Sequence, residues 1–322
     1  MTGRFVLRMR QVFWCIGPPI ERPLKVQGRG ADVTDTVTST EPVYTTLESP
    51  DFGTINVVER NCPHCGRNNA DQSANRYSHS VWKVKDCADC GFVYIDQAPV
   101  YEALKSEMAW EKTTLIEEKR RADIRPISYK FSKLTRARMH LFPRTKMPDL
   151  VHAHALPGRV VDLGSGAGDQ LRGLDDRFIP YGIEISAELA AAGNAYFGER
   201  GGQVICAPSL EGLQAVEDNF FSAATLRSYL EHESHPQEVL RELYRTLVPD
   251  GVAIIKVPNF GAVNRMIMGS KWCGFRYPDH LNYFTPASLR KMAEKCGYSV
   301  KSSLSQRLPT SDNMYAILKK AG

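Results

Sequence analysis

The stretch Val160-Val-Asp-Leu-Gly-Ser-Gly-Ala-Gly-Asp169 constrains this chain more than any other part of it. A short apolar run passes directly into Gly164, Gly166 and Gly168. Residues without Cβ tolerate the positive φ of a tight turn and let main chain lie close to a ligand. A strand that ends in such a turn and opens a helix is the first unit of an open α/β sheet, with free N–H groups of the helix N-terminus facing a carboxylate. The spacing is GxGxG. A dinucleotide fingerprint reads GxGxxG, and Asp169 is a poor neighbour for a pyrophosphate.

Beyond the loop the pattern alternates. Strands are expected at 160–163, 179–185, 204–206, 222–226 and 252–257, with helical segments at 170–175, 187–197 and 236–247 between them. A helix at 286–296 and two final strands, 298–303 and 314–318, close the chain as a hairpin with an antiparallel edge strand. The expected fold class is therefore α/β: a Rossmann-like, mostly parallel seven-stranded sheet with an antiparallel terminal strand, spanning residues 151–322. Glu184 ends the second strand about twenty residues beyond the glycine loop, where a carboxylate can accept both ribose hydroxyls of a nucleoside.

A second unit precedes this one. Of eight cysteines, four fall into two knuckles, Cys62-Pro-His-Cys65-Gly and Cys87-Ala-Asp-Cys90-Gly. Each CxxC points two thiolates at one place, and the glycine after it permits the turn. Cys62, Cys65, Cys87 and Cys90 thus predict a closed, structural Zn2+ site within a small zinc-ribbon module at 56–97. His64, inside the first knuckle, is a superfluous donor beside four thiolates. Residues 1–55 read as a poorly ordered leader, and 98–150 as a helical linker or cap with helices at 101–121 and 130–141. A net charge of +5 spread over 322 residues does not argue for a nucleic-acid partner, and the knuckles lack clustered basic and aromatic residues. No apolar run is long enough to span a bilayer. The cysteine pattern points to a metal rather than a disulfide framework, hence to a reducing, cytoplasmic compartment.

With these motifs in place the chain resembles the class I methyltransferases that use S-adenosylmethionine. Leu226-Arg-Ser-Tyr-Leu-Glu231-His232 followed by Pro236, Leu247-Val-Pro-Asp-Gly251 running to Asn259, and Asp279-His280-Leu-Asn-Tyr-Phe-Thr-Pro-Ala-Ser-Leu289 all resemble segments of that family. Bacterial sugar, glycan and small-molecule methyltransferases with an upstream CPxCG…CxxCG ribbon are similar over about residues 60 to 320. The resemblance implies that Asp162, Gly164, Ser165, Gly166 and Gly168 hold the methionine end of S-adenosyl-L-methionine. It implies that Glu184 takes the ribose, Ile185 covers the adenine, and Ser209 and Leu210 flank the ring. Two positions depart from the family pattern: Ser209 where an acid often receives the adenine amino group, and Ser222 where an Asp usually stands.

On the substrate side, Tyr277, Asp279 and His280 resemble the Tyr-x-acid-His stretch of sugar C-methyltransferases. His280 is then a general base, oriented by Asp279 or another carboxylate, and His232 is a further catalytic candidate at a turn near the cofactor. Imidazole ordinarily titrates near 6.5, which suits this role. The implied reaction is methyl transfer to carbon or oxygen of a small-molecule, nucleotide-sugar or glycan acceptor. Three other readings remain open at this stage: an RNA or other macromolecule methyltransferase, a nicotinamide oxidoreductase, and an inactive cofactor-binding relative. The sequence leaves the oligomeric state open.

Overall fold

The computed structural model describes residues 44–100, 146–301 and 311–322. The expected helices at 101–121 and 130–141 and the leader up to residue 43 lie outside the described residues.

The N-terminal unit opens with strands β1 (Thr45–Ser49) and β2 (Gly53–Glu59), an antiparallel hairpin, and β2 pairs in turn with β5 (Gln97–Pro99). Residues 45–49 and 53–55, expected in the leader, are therefore strand, joined by a turn at 50–52. Their polar character reflects alternation, with Ile55 and Val57 buried and their neighbours facing out. Strands β3 (Val84–Asp86) and β4 (Val93–Ile95) form a second antiparallel pair that flanks the second knuckle. The knuckles share one main-chain geometry. Gly66 N–H donates to Cys62 O and Gly91 N–H to Cys87 O, at 2.8 and 2.9 Å. Gly66 and Gly91 sit at φ of 83° and 68°, the positive region that their position after each CxxC requires.

After helix α1 (Met147–His154) the main sheet begins. Its strands are β6 (Gly158–Leu163), β7 (Phe178–Glu184), β8 (Val204–Cys206), β9 (Phe221–Arg227), β10 (Leu247–Pro258), β12 (Ser299–Lys301) and β13 (Asn313–Lys319). Their spatial order is β12-β13-β10-β9-β6-β7-β8. The pairs β10–β9, β9–β6, β6–β7 and β7–β8 are parallel, while β13 runs antiparallel to both its neighbours. The seven-stranded Rossmann-like sheet is thus as expected, with one difference. The antiparallel strand β13, last in the chain, lies one place in from the edge, which belongs to β12. Placed there, β13 buries Met314, Ala316 and Leu318 on one face and Ile317 on the other.

Helices α2 (Ala187–Glu199), α3 (Ser209–Gln214), α4 (Pro236–Thr246) and α6 (Pro286–Lys295) cover the sheet. In α4 a proline at the first turn starts the helix, and Val239, Leu240, Leu243 and Thr246 recur along the face that packs on the sheet. Arg245 of α4 donates to the carbonyls of Leu213 and Val216, satisfying the open C-terminal end of α3. Between β10 and α6 lie the short helix α5 (Val263–Met268) and the two-residue strand β11 (Asn282–Tyr283).

β11 pairs not with the large sheet but with β4 of the N-terminal unit. One apolar core follows this pairing. Ile55, Val57, Trp82, Val93 and Ile95 of the first unit pack with Phe260, Trp272, Phe275, Leu281 and Tyr283. Trp272 and Phe275 are 1% and 0% exposed, so they belong to this shared core and not to a substrate pocket.

Candidate active site

The glycine loop leaves β6 at the C-terminal edge of the sheet. Gly164, Gly166 and Gly168 all have positive φ. At Gly168 an added Cβ would stand 2.8 Å from the Phe197 ring, whereas at Gly166 nothing lies within 4 Å. Gly166 therefore borders an open groove that a side chain would fill. The loop enters a single 3-10 turn, Asp169–Leu171, and not the helix expected at 170–175. Three residues align too few peptides for a useful macrodipole. The carboxylate that meets the loop is the chain's own: Glu184 accepts from Gly166 N–H and Ser186 N–H, each at 2.8 Å. Each of its oxygens keeps a second lone pair for a hydroxyl.

Asp162 lies on β6 beneath the loop. One carboxylate oxygen accepts from the Thr225 hydroxyl at 2.5 Å; the other is buried and has no hydrogen-bond partner. Burial drives its pKa up to about 7, against the Thr225 bond and Arg227. A buried carboxylate with an orphan oxygen beside an open glycine loop fits a cationic or N–H-bearing ligand such as the methionine end of S-adenosylmethionine. Ser165 is placed differently from expectation. Its side chain packs over Gly182, in the space a Cβ there would need. Ile185 is half-buried beside Glu184, and Ser209 and Leu210 begin α3 across from it. Ser222, the family departure on β9, donates to Arg159 O at 3.0 Å and so tethers the neighbouring strand.

The loop after β9 carries Glu231 and His232, and the segment before β11 carries Tyr277, Asp279 and His280. The structure brings the histidines together, with ring centroids 4.7 Å apart, edge to face. His232 Nδ1 lies 2.8 Å from Asp279 O, and His280 Nδ1 lies 2.7 Å from Gly274 O. A carbonyl only accepts, so both neutral rings carry their proton on Nδ1 and present Nε2 as the basic nitrogen. His280 is thus oriented by a main-chain carbonyl. The Asp279 carboxylate, expected in that role, is held by Arg276 at 3.0 Å. Tyr277 also differs from expectation. Its hydroxyl donates to Tyr77 O at 2.5 Å and its ring stacks on His79, which ties it to the N-terminal unit.

Glu231 is a functional candidate that sequence reasoning left inside a motif. It is 1% exposed, and neither carboxylate oxygen has a hydrogen-bond partner. Burial drives its pKa up to about 8, outweighing its own main-chain N–H, Lys256 and Arg276, so it is the neutral acid near pH 7. Burial and Arg276 push His232 down to about 4, which keeps it neutral.

Among the described residues, two clusters have metal-ligating side chains. The donor atoms of Glu231, His232 and His280 lie within 4.8 Å of one another, with His232 Nε2 3.9 Å from Glu231 Oε1. Ligands about 2.1 Å from an ion stand about 3 to 3.5 Å apart. The group is wider than that, and its one carboxyl is held neutral near pH 7 by burial. It suits proton handling better than a dication. Cys62, Cys65, Cys87 and Cys90 are the other cluster. Their Sγ atoms approach to 3.6 Å (Cys62–Cys90) and 3.4 Å (Cys65–Cys87), against about 3.8 Å for tetrahedral thiolates about 2.3 Å from zinc. His64 lies outside this cluster, with its ring against Phe92.

Comparison with known proteins bears on the larger domain. The family model for a methyltransferase domain matches residues 131–303, more than half of the chain. No curated protein is similar enough to match. Among solved structures, the YcgJ protein of Bacillus subtilis is 15% identical, with a TM-score of 0.42 over 54% of this chain and 97% of that one. An S-adenosylmethionine-dependent methyltransferase of Methanosarcina mazei is 15% identical, with a TM-score of 0.43 over 55% and 99%. A further one from Archaeoglobus fulgidus is 17% identical, with a TM-score of 0.40 over 60% and 100%. The matched region holds the glycine loop, Glu184 and the histidine pair, and the chain belongs to the methyltransferase-domain family.

Proposed function

We propose that the protein transfers the methyl group of S-adenosylmethionine to oxygen or an acidic carbon of a small-molecule, nucleotide-sugar or glycan acceptor in the cytoplasm, with a structural zinc ion on Cys62, Cys65, Cys87 and Cys90. The observation that carries this reading is the pair His232–His280, edge to face, each ring with Nδ1 on a main-chain carbonyl.

The cofactor, when bound, would supply an electrophilic sulfonium methyl, whose S–CH3 bond breaks with the electron pair left on sulfur as a neutral thioether. Glu184 takes the ribose hydroxyls through the lone pairs left by Gly166 and Ser186. The open side of Gly166 and the spare oxygen of Asp162 receive the methionine end, while Ile185, Ser209 and Leu210 border the adenine. His280 Nε2 accepts the proton that the acceptor loses as its oxygen or carbon bonds the methyl group. His232, held neutral, is a weak base and acts as a hydrogen-bond acceptor that orients the acceptor group. Glu231, neutral and buried beneath them, leaves the site without a fixed negative charge and so favours loss of that proton to imidazole less than an ionised carboxylate would. Most of the rate comes from holding donor and acceptor in attack geometry.

The test is label transfer. Zinc-loaded protein is incubated with methyl-labelled S-adenosylmethionine and a panel of nucleotide sugars and hydroxylated small molecules, beside the His280→Ala variant. Label in a small acceptor, reduced at least about a hundredfold in the variant, is expected of a general base. Undiminished transfer by the variant would remove His280 from the reaction. Label found only in RNA would replace the acceptor class.

A further inference from the structure

The segment that carries His280 is built against the N-terminal unit. β11 begins two residues after His280 and pairs with β4, with Asn282 opposite Tyr94 and Tyr283 opposite Val93. Ile95 N–H extends the ladder by donating to Leu281 O at 2.9 Å. The loop that carries Glu231 and His232 joins the same assembly, because Leu281 N–H and Asn282 N–H both donate to Glu231 O, at 2.8 and 3.0 Å.

Two side chains, Asn282 buried and Arg60 half-buried, link these pieces. Asn282 is 2% exposed and uses its whole amide. Its Nδ2 donates to Leu230 O and Glu233 O, at 3.0 and 2.7 Å, bracketing Glu231 and His232. Its Oδ1 accepts from Arg60 at 2.9 Å. Arg60 stands two residues before Cys62 and donates as well to Ser234 O at 2.9 Å and Ile95 O at 3.0 Å. One guanidinium thus spans the first cysteine knuckle, β4, the loop after β9 and β11. Guanidinium geometry makes this specific: a planar fork of five N–H donors reaches several acceptors at fixed angles, which an ammonium cannot do. A cation in this position is costly unless so paired, and the observed pairing joins elements far apart in the chain.

We propose that Arg60 and Asn282 are positioning residues through which the cysteine knuckle fixes the two loops that carry His232 and His280. The N-terminal unit is on this view a wall of the active site, and its metal sets the register of the histidine pair as well as the stability of the fold. The inference rests on the reading of His280 and His232 given above. A displacement of about 1 Å in such a pair is enough to cost about a hundredfold in rate.

The test uses the full chain, zinc-loaded, as Arg60→Met and Arg60→Lys. Zinc content and S-adenosylmethionine affinity are measured beside the imidazole NMR titrations of His232 and His280. Both variants are expected to keep zinc and to bind cofactor within about twofold, because the side-chain hydrogen bonds of Arg60 go to Ile95 O, Ser234 O and Asn282, none of them in the glycine loop or at a thiol. In Arg60→Met the ring resonances of both histidines shift, and His232 titrates closer to the ordinary value near 6.5. Arg60→Lys, which keeps the charge and reaches fewer acceptors, lies between. With an acceptor in hand, kcat falls about a hundredfold while the acceptor KM changes only a few-fold. Unchanged histidine resonances in the folded, zinc-bound variants would overturn the inference. So would loss of zinc or of cofactor binding in both variants, which would make Arg60 a general structural residue. His280→Ala separates the two levels: if it kills transfer while the Arg60 variants behave as wild type, only the positioning role fails.

Discussion

Glu231→Gln tests the electrostatic reading of the site through stability alone. The wild-type carboxyl is 1% exposed, its two oxygens lack hydrogen-bond partners, and burial lifts its pKa from 4.5 to about 8. Between those values the folded chain holds a proton that the unfolded chain has released. Folding therefore takes up a proton, and wild-type stability falls as pH rises from about 4.5 to about 8. At 1.36 kcal/mol per unit this linkage is worth on the order of 3 to 5 kcal/mol across the window. Glutamine keeps the shape and does not titrate. The Asp162 contribution, lost over a window ending near 7, is present in both proteins and cancels in the comparison. Urea unfolding at pH 5, 6.5, 7.5 and 8.5 measures the difference directly. Near pH 5 the variant should differ from wild type by a constant offset set by how well the amide packs. Its relative stability should then climb with pH and level off above about 8. A difference that stays flat from pH 5 to 8.5 would show that Glu231 ionises normally in the fold, and the neutral-acid account would be wrong.

Two further outcomes follow from the cofactor loop and the cysteine cluster. Gly166→Val should cost only about 1 to 2 kcal/mol of stability, the penalty for a side chain at positive φ, because nothing lies within 4 Å of the new Cβ. It should raise the calorimetric Kd for S-adenosylmethionine more than tenfold by filling the groove, and an unchanged Kd would misplace the cofactor. Removing zinc with a chelator should lower the melting temperature and abolish methyl transfer, with release of one metal per chain in a colorimetric assay. Full activity in metal-free protein would contradict the structural role of the four thiolates.

What the sequence reveals is largely local. The apolar runs of β6, β7, β9 and β10, the positive-φ glycines, and the two CxxCG knuckles all declare themselves within ten residues, and each stands where it is expected. What it hides depends on distant partners. β1 and the start of β2 look like polar leader because the core that takes in Ile55 and Val57 is assembled from residues as far along the chain as Phe260 to Tyr283. Tyr277 and Asp279 match a catalytic pattern. Their polar groups are instead engaged by Tyr77 O, a contact that needs the N-terminal unit, and by Arg276, three residues before Asp279. The helix expected after Gly168 is a single turn because Gly173, at φ of 115°, and the Asp175–Arg177 bend redirect the chain into β7. Arg60 belongs to no motif, and Asn282 lies inside the Asp279–Leu289 segment without being singled out by it. Their positions, two residues before a metal knuckle and two after His280, are the one sequence sign they give.

The most direct measurement is a crystal structure of the zinc-loaded protein with S-adenosylhomocysteine, with anomalous data at the zinc edge. The account predicts a single anomalous peak among the sulfurs of Cys62, Cys65, Cys87 and Cys90. It also predicts the ribose hydroxyls within hydrogen-bond distance of Glu184 and the homocysteine end beside Gly166 and Asp162. An anomalous peak between Glu231, His232 and His280, or a nucleoside bound away from Glu184, would contradict it.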